Sequence, residues 1–332
     1  MTALLVLSPD LLVDRRECSV QVIAIMNYKG GVGKTTLTAN LGADVASRGH
    51  KVLLIDLDPQ ANLTFSFYGV DQWREELSKD ATIMRWYEGE MPGREVELQD
   101  LIVTPPRVNA ELEESGGRLD LISSHLKLID IDLRLAARLG AGTTLGESKR
   151  KFLDLHGCLA RALRHEEFER YDLVLIDCAP NFGLVTKTAI VASDHVLVPA
   201  RPDYLSTLGI QYLASNCDEL VAEYNDYVNH GAAKNDSDRA IRTRYLGVVF
   251  TMVKFHAKKP IGAQRYYMED VRLNSDILPL NGMIRDSPRY FGDAGEGGVP
   301  AVLRAPVTDD VVVEFRKLTT EILDSVGTGA AR

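Results

Sequence analysis

Two lysines flank a glycine run in "MNYKGGVGKTTLTAN", Met26 to Asn40: Lys29 at its start and Lys34 at its end. Gly30, Gly31 and Gly33, with Val32 among them, allow the backbone to turn several N–H groups toward one anion. Lys34, Thr35 and Thr36 then fit the phosphate-loop pattern G-x-x-x-x-G-K-[ST], with its first glycine replaced. In that pattern the lysine reaches the β- and γ-phosphates and the first threonine hydroxyl ligates Mg²⁺. Thr36 is placed to hydrogen-bond the α-phosphate. "LVLIDCAP" sets Asp177 after four apolar residues, where a carboxylate can hold the metal's hydration shell. "LLIDLDPQAN" sets Asp56 and Asp58 two positions apart, on one side of a strand if the strand persists. One is then able to support the metal and the other to orient an attacking water, or one merely caps the following turn. The chemistry predicted is Mg²⁺-dependent transfer of a nucleotide phosphoryl group.

Those residues need strands that end at one place. "VQVIAIMN" is a continuous apolar run suited to a strand buried on both faces, and a helix is predicted from about Thr35 to Arg48. Gly49 stops that helix before the next buried strand, "KVLLIDLD", Lys51 to Asp58. Strand, helix and strand in this order imply a right-handed parallel unit. Further strands are expected at Arg118 to Ser124, Tyr171 to Pro180, Asp194 to Ala200, "RYLGVVFTM" and "ILPLNGMI". Helices are expected near "LKLIDIDLRLAARL", in "FLDLHGCLARALRHEEF", over about Ser206 to Asn229 and in "TDDVVVEFRKLTTEILDSV". The fold class is α/β, an open, mostly parallel twisted sheet with helices on both faces. The stretch 71–117 is more polar and irregular.

Composition sets outer bounds. The 332 residues are 45% hydrophobic with a formal net charge of -9, so any nucleic-acid surface has to be regional. Cys18, Cys158, Cys178 and Cys217 are far apart and without metal-binding spacing, and read as reduced thiols. The first residues have no basic start, and no apolar run approaches the length of a membrane span. A cytoplasmic protein is expected, with an extension at 1–19, a single domain at 20–328 and a tail at 329–332. The histidines show no paired base or nucleophile and read as structural.

"NYKGGVGKTT", "LLIDLDPQAN" and "YDLVLIDCAPNFG", in this order, resemble the deviant Walker A ATPases of the ParA/MinD superfamily of P-loop NTPases. The D-x-D-P-Q-A-N form resembles ParA partition ATPases most. The likeness continues through "HVLVPARPDYLSTLGI", "YLGVVFTM" and "PAVLRAPVTDDVVVEFRKLTTEIL". It implies ATP/ADP and Mg²⁺ as cofactors, slow hydrolysis of ATP, and a homodimer in the ATP state. By the same resemblance Lys29 is the signature lysine that reaches the partner subunit's phosphates, Lys34 the lysine acting in cis and Thr35 the metal ligand. Asp58 positions the hydrolytic water, Asp177 is the Walker B acid, and Asp56 lies in the metal's outer shell. The family further implies non-specific DNA binding and nucleoid association in the ATP state, with a ParB-like or other cargo adaptor protein stimulating hydrolysis.

Relatives are separated by what this sequence lacks. It carries no cysteines for an iron–sulfur seam, no terminal tyrosine cluster and no basic amphipathic C-terminal helix for a membrane. Only some 20 residues precede the loop, against about a hundred needed for an operator-binding domain. Where partition ATPases carry an Ile-Pro-Arg-Asn type segment near the adenine, this chain has "MIRDSPRYFGDAGEGGVP", which leaves its base contacts unassigned. Between His230 and Arg272 nine basic residues face four acids. Arg239, Arg242, Arg244, Lys254, Lys258, Lys259, Arg265 and Arg272 are the candidate DNA contacts, with an ordinary solvated face as the alternative. A ParA-like switch that positions a protein assembly without touching DNA is the second functional expectation.

Overall fold

Strand residues here are apolar on both sides, and the two faces are filled by different helices. The computed structural model describes residues 20–89, 96–140, 142, 144–230, 240–292 and 297–327. The expected extension and tail, and Arg239, lie outside these residues. β1 (Gln21–Ile25) leads through the glycine loop into α1 (Lys34–Ser47), and β2 (Lys51–Asp56) follows. Four short helices, α2 (Asn62–Phe65), α3 (Val70–Gln72), α4 (Ile83–Gly89) and α5 (Pro106–Leu112), carry the chain to β3 (Arg118–Ile122). α6 (Leu128–Leu139), α7 (Leu145–His156) and α8 (Cys158–Ala162) precede β4 (Leu173–Asp177). Next come α9 (Leu184–Ala192), β5 (His195–Ala200), α10 (Tyr204–Asn229) and β6 (Arg244–Val253). A small hairpin, β7 (Phe255–His256) and β8 (Lys259–Pro260), is followed by α11 (Gly262–Asn274) and β9 (Pro279–Arg285). α12 (Pro288–Phe291), α13 (Ala301–Arg304) and α14 (Asp310–Val326) close the described chain.

The main sheet has seven strands in the order β3-β2-β4-β1-β5-β6-β9, and every pairing within it is parallel. Because side chains alternate along a strand, Ile23 and Ile25 face one core while Ala24 and Met26 face the other. The first core holds α1 and α14 through residues such as Leu41 and Phe315; the second holds α6, α9 and α10 through Ile131, Ile190 and Ile210. β1 lies between β4 and β5, so the chain order reverses at β1, and a crevice opens beyond the strand ends there. Register then sets the chemistry: Asp177 is the β4 partner both of Ile25 in β1 and of Asp56 in β2.

The polar stretch after α2 is more organised than its composition indicates. Val103 bridges antiparallel to Leu121 and covers the outer edge of β3. Trp73 is buried, and its indole N–H donates to Ser123 Oγ at 3.2 Å and to the Ser124 carbonyl at 3.3 Å. Among the described residues no helix is long and apolar enough to cross a membrane. Cys178 and Cys217 are buried thiols.

Candidate nucleotide-binding site

Gly31 and Gly33 adopt φ of 69° and 79°, left-handed values that a side chain would strain. Gly33 thereby caps α1, and its carbonyl accepts from Leu37 N at 2.8 Å. The glycine loop thus ends at the positive end of a 14-residue helix, a setting that favours a bound phosphate. Thr251 of β6 secures the loop from the side by donating to the Val32 carbonyl at 2.7 Å.

Lys34 is buried, and its ammonium curls back toward the carbonyls of Asn27 at 3.3 Å and Lys29 at 3.4 Å. Burial lowers its pKa, against the opposing pull of Asp177 and Asp58. Thr35 Oγ1 donates to Asp177 Oδ2 at 2.7 Å, whereas Asp177 Oδ1 is buried with no hydrogen-bond partner. Burial, with the charge of Asp56 adding to it, pushes the Asp177 carboxyl well above its usual range. A buried orphan oxygen beside a threonine hydroxyl is an incomplete polar site, and a hydrated divalent cation would complete it. Mg²⁺ in such sites keeps waters and phosphate oxygens as ligands, so one hydroxyl and one carboxylate suffice from the protein. The residues present fit Mg²⁺.

Asp56 is fully buried beside Asp177, but its oxygens face the loop that follows β2. Oδ1 accepts from Asp58 N at 3.1 Å; Oδ2 accepts from Thr64 N at 2.8 Å and from Thr64 Oγ1 at 2.7 Å. Burial raises its pKa to about 7 against these stabilising bonds. Asp58 Oδ1 accepts from Gln60 N at 2.9 Å, which closes a local turn.

A cavity of about 190 Å³ opens beside Gly33 and Thr36. Met252, Ile284, Asp286, Pro288 and Phe291 are among its lining. The departing "MIRDSPRYF" segment thus lines a cavity that adjoins the glycine loop.

The basic window is divided. Lys254, Lys258, Lys259 and Arg265 are exposed around the β7–β8 hairpin and the start of α11. Arg242 and Arg244 are exposed at the beginning of β6, about 30 Å from its far end at strand rise. Arg272 lies two turns beyond Arg265 along α11.

Lys29, outside the phosphate cradle, is hydrogen-bonded through its ammonium to Asp203. Its backbone N–H donates to Asn27 Oδ1 at 2.9 Å, while Asn27 Nδ2 donates to the Pro199 carbonyl at 2.9 Å. Asn27, Thr64, Ser124, Asp203 and Thr251 are site-organising residues that the motif reading missed. Only Asp203 had a local signal, as an Asp three residues before Ser206 at a helix start.

Residues 20–230 match the family model described as "AAA domain". The chain is 30% identical over 308 residues to a probable plasmid-partitioning protein ParA of Thermus thermophilus, spanning 92% of this chain and 79% of that protein. Among solved structures, Cyanothece McdA in an ATP complex superposes with a TM-score of 0.66 at 21% identity, covering 93% of this chain and 96% of that one. MinD of Pyrococcus horikoshii complexed with Mg-ADP gives 0.61 at 19% identity, covering 95% of this chain and 100% of that one. With the parallel sheet, the glycine loop and the Thr35–Asp177 pair in place, the chain belongs to the ParA/MinD family of P-loop ATPases.

Proposed function

We propose that this chain is an Mg²⁺-dependent ATPase whose ATP state closes a homodimer, binds DNA non-specifically and is reset by hydrolysis that a cargo-bound partner protein stimulates. The observation that carries this reading is the Thr35–Asp177 pair with its orphan buried oxygen, set at the foot of a loop bearing two lysines. Bound Mg²⁺ would neutralise charge spreading over the transferred phosphoryl group. Lys34 serves the same charge from within its own subunit. Lys29, partly exposed and held away from the cradle by Asp203, serves it across the dimer. Asp58 orients the water. Because Lys29 arrives only from a second copy, hydrolysis is tied to dimerisation and is slow without a partner.

The exposed lysines of the β7–β8 hairpin support contact with DNA phosphates. The net acidity of the chain and the split of its basic window favour the second reading, a switch that positions a protein assembly without DNA. Retention on DNA with ATP against ADP, across a salt series, tests the choice. Salt-sensitive retention in ATP alone supports partition; no retention in either nucleotide supports the switch.

A further inference from the structure

Ser124, Thr64, Asp56 and Asp58 form a closed ring of hydrogen bonds, and nothing in the phosphate-loop chemistry requires it. Ser124 N donates to Thr64 Oγ1 at 2.9 Å, and Thr64 Oγ1 donates onward to Asp56 Oδ2 at 2.7 Å. Asp56 Oδ1 accepts from Asp58 N at 3.1 Å, and the Asp58 carbonyl accepts from Ser124 Oγ at 2.7 Å. The ring thus passes through the end of β2, the short α2 and the residues after β3. Thr64, Asp56 and Ser124 are 0% exposed and Asp58 is 7% exposed. Each hydroxyl donates to an oxygen within the ring, and Thr64 Oγ1 also accepts inside it, so neither is free to rotate toward water.

Thr64 N adds a second bond to Asp56 Oδ2 and fixes α2 to the same carboxylate. Trp73 extends the arrangement outward: its indole N–H donates to the Ser124 carbonyl, and its ring packs edge-on against Phe65 at 5.5 Å. Asp58 is therefore held at its N–H by Asp56, at the end of β2, and at its carbonyl by Ser124 from after β3. Its carboxylate leaves from this fixed backbone and accepts from Gln60 N at 2.9 Å. Asp56, expected in the metal's outer shell, accepts from this loop with both oxygens.

We infer that Thr64, through Asp56, and Ser124, directly at the Asp58 carbonyl, are positioning residues that fix the Asp58 backbone so that its carboxylate aligns the attacking water. This rests on the reading of Asp58 as the water-orienting group. Neither hydroxyl need touch nucleotide, so their loss should slow the chemical step and leave binding alone.

The test uses the full chain with Mg-ATP, measuring steady-state kcat and KM, single-turnover hydrolysis and ATP-dependent dimerisation. Ser124→Ala and Thr64→Val should each lower kcat about 10- to 100-fold, as for a catalytic group displaced by about 1 Å. KM and dimerisation should stay within about twofold of the parent, and Thr64→Ser should restore turnover. In an Asp58→Asn background, Ser124→Ala should lower hydrolysis by less than about twofold further, because both changes act through one group. Unchanged kcat in both single variants, or a full additional loss in the Asp58→Asn background, overturns the proposal. If Asp58→Asn alone keeps normal turnover, the reading of Asp58 fails, whatever the ring variants do. Should Ser124→Ala not fold, Thr64→Val compared with Thr64→Ser carries the same decision.

Discussion

Lys29 Nζ lies 2.8 Å from one carboxylate oxygen of Asp203 and 2.9 Å from the other, within a single chain. The lysine proposed to serve a partner's phosphates is thus paired within its own chain. Asp203 also accepts from Ser206 N at 2.9 Å and caps α10, so it is anchored at a helix start. The two side chains are 30% and 36% exposed, and such a pair is worth about 1 kcal/mol or less. Asp203→Asn keeps the helix cap and removes the charge. It should lower the ATP concentration that gives half-maximal dimer by up to about fivefold. Lys29→Ala should show no ATP-dependent dimer by size-exclusion chromatography with light scattering. A Lys29→Ala protein that dimerises normally would refute the role of this lysine; an unshifted Asp203→Asn curve would refute only the latch.

Thr35 and Asp177 make a second prediction, about the metal. Asp177→Asn retains a group that can accept from Thr35 but removes the charge left orphaned at Oδ1. Titration calorimetry with ADP, in Mg²⁺ and then in chelator, separates metal-dependent affinity from the rest. The metal-dependent gain should fall about tenfold or more in Asp177→Asn and in Thr35→Ala. Equal gains in parent and variants would remove both residues from the metal site.

What could be read directly from the chain, and what could not, divides along a physical line. The phosphate loop, the strand ends and the parallel sheet were legible because they rest on short-range facts. Glycines sit at left-handed positions, and buried strands are apolar throughout. The ring around Asp58 was not legible, since Ser124 is 66 residues from the carbonyl it holds. Any serine after any strand would look the same. The cap residue Asp203 was visible as a helix start, but its pairing with Lys29 spans 174 residues and depends on β1 and β5 being neighbours. The basic window illustrates the reverse error. Residues near in sequence were grouped as one patch, whereas β6 carries them to opposite ends of the sheet.

That division makes the DNA reading testable by parts. Ala257 and Lys258 form the tip of the β7–β8 hairpin with φ of 47° and 62°, values that such tight turns usually reserve for Asn or Gly. The turn holds Lys258 outward despite this cost. If the hairpin contacts phosphates, replacing Lys258, Lys259 and Arg265 by alanine should abolish ATP-dependent retention at moderate salt. It should also flatten the dependence of log affinity on log salt by up to about 3. Arg242→Ala with Arg244→Ala, at the far end of β6, should leave both unchanged. The opposite pattern would move the interface to the other end of β6.

His156 supplies a stability prediction independent of nucleotide. It is buried, with its ring stacked on Phe152 at 3.9 Å and Nδ1 2.8 Å from the Phe152 carbonyl. Its Nε2 is buried without a partner. Burial, only partly offset by the Phe152 carbonyl, lowers its pKa from 6.5 to about 4. The unfolded chain therefore takes up this proton first as pH falls, so the stability tied to neutral His156 is present above about pH 6.5 and is lost toward pH 4. Between about pH 7 and pH 5 the loss is on the order of 2 kcal/mol. Asp56 and Asp177 have raised pKa values and act in the opposite direction over part of the same range, so the parent's curve alone is not diagnostic. The comparison that isolates His156 is urea unfolding of the parent and of His156→Leu at both pH values. The variant should lose about 2 kcal/mol less than the parent on acidification. Parallel losses in the two proteins would mean that His156 is protonated in the folded state, or is not buried as neutral imidazole.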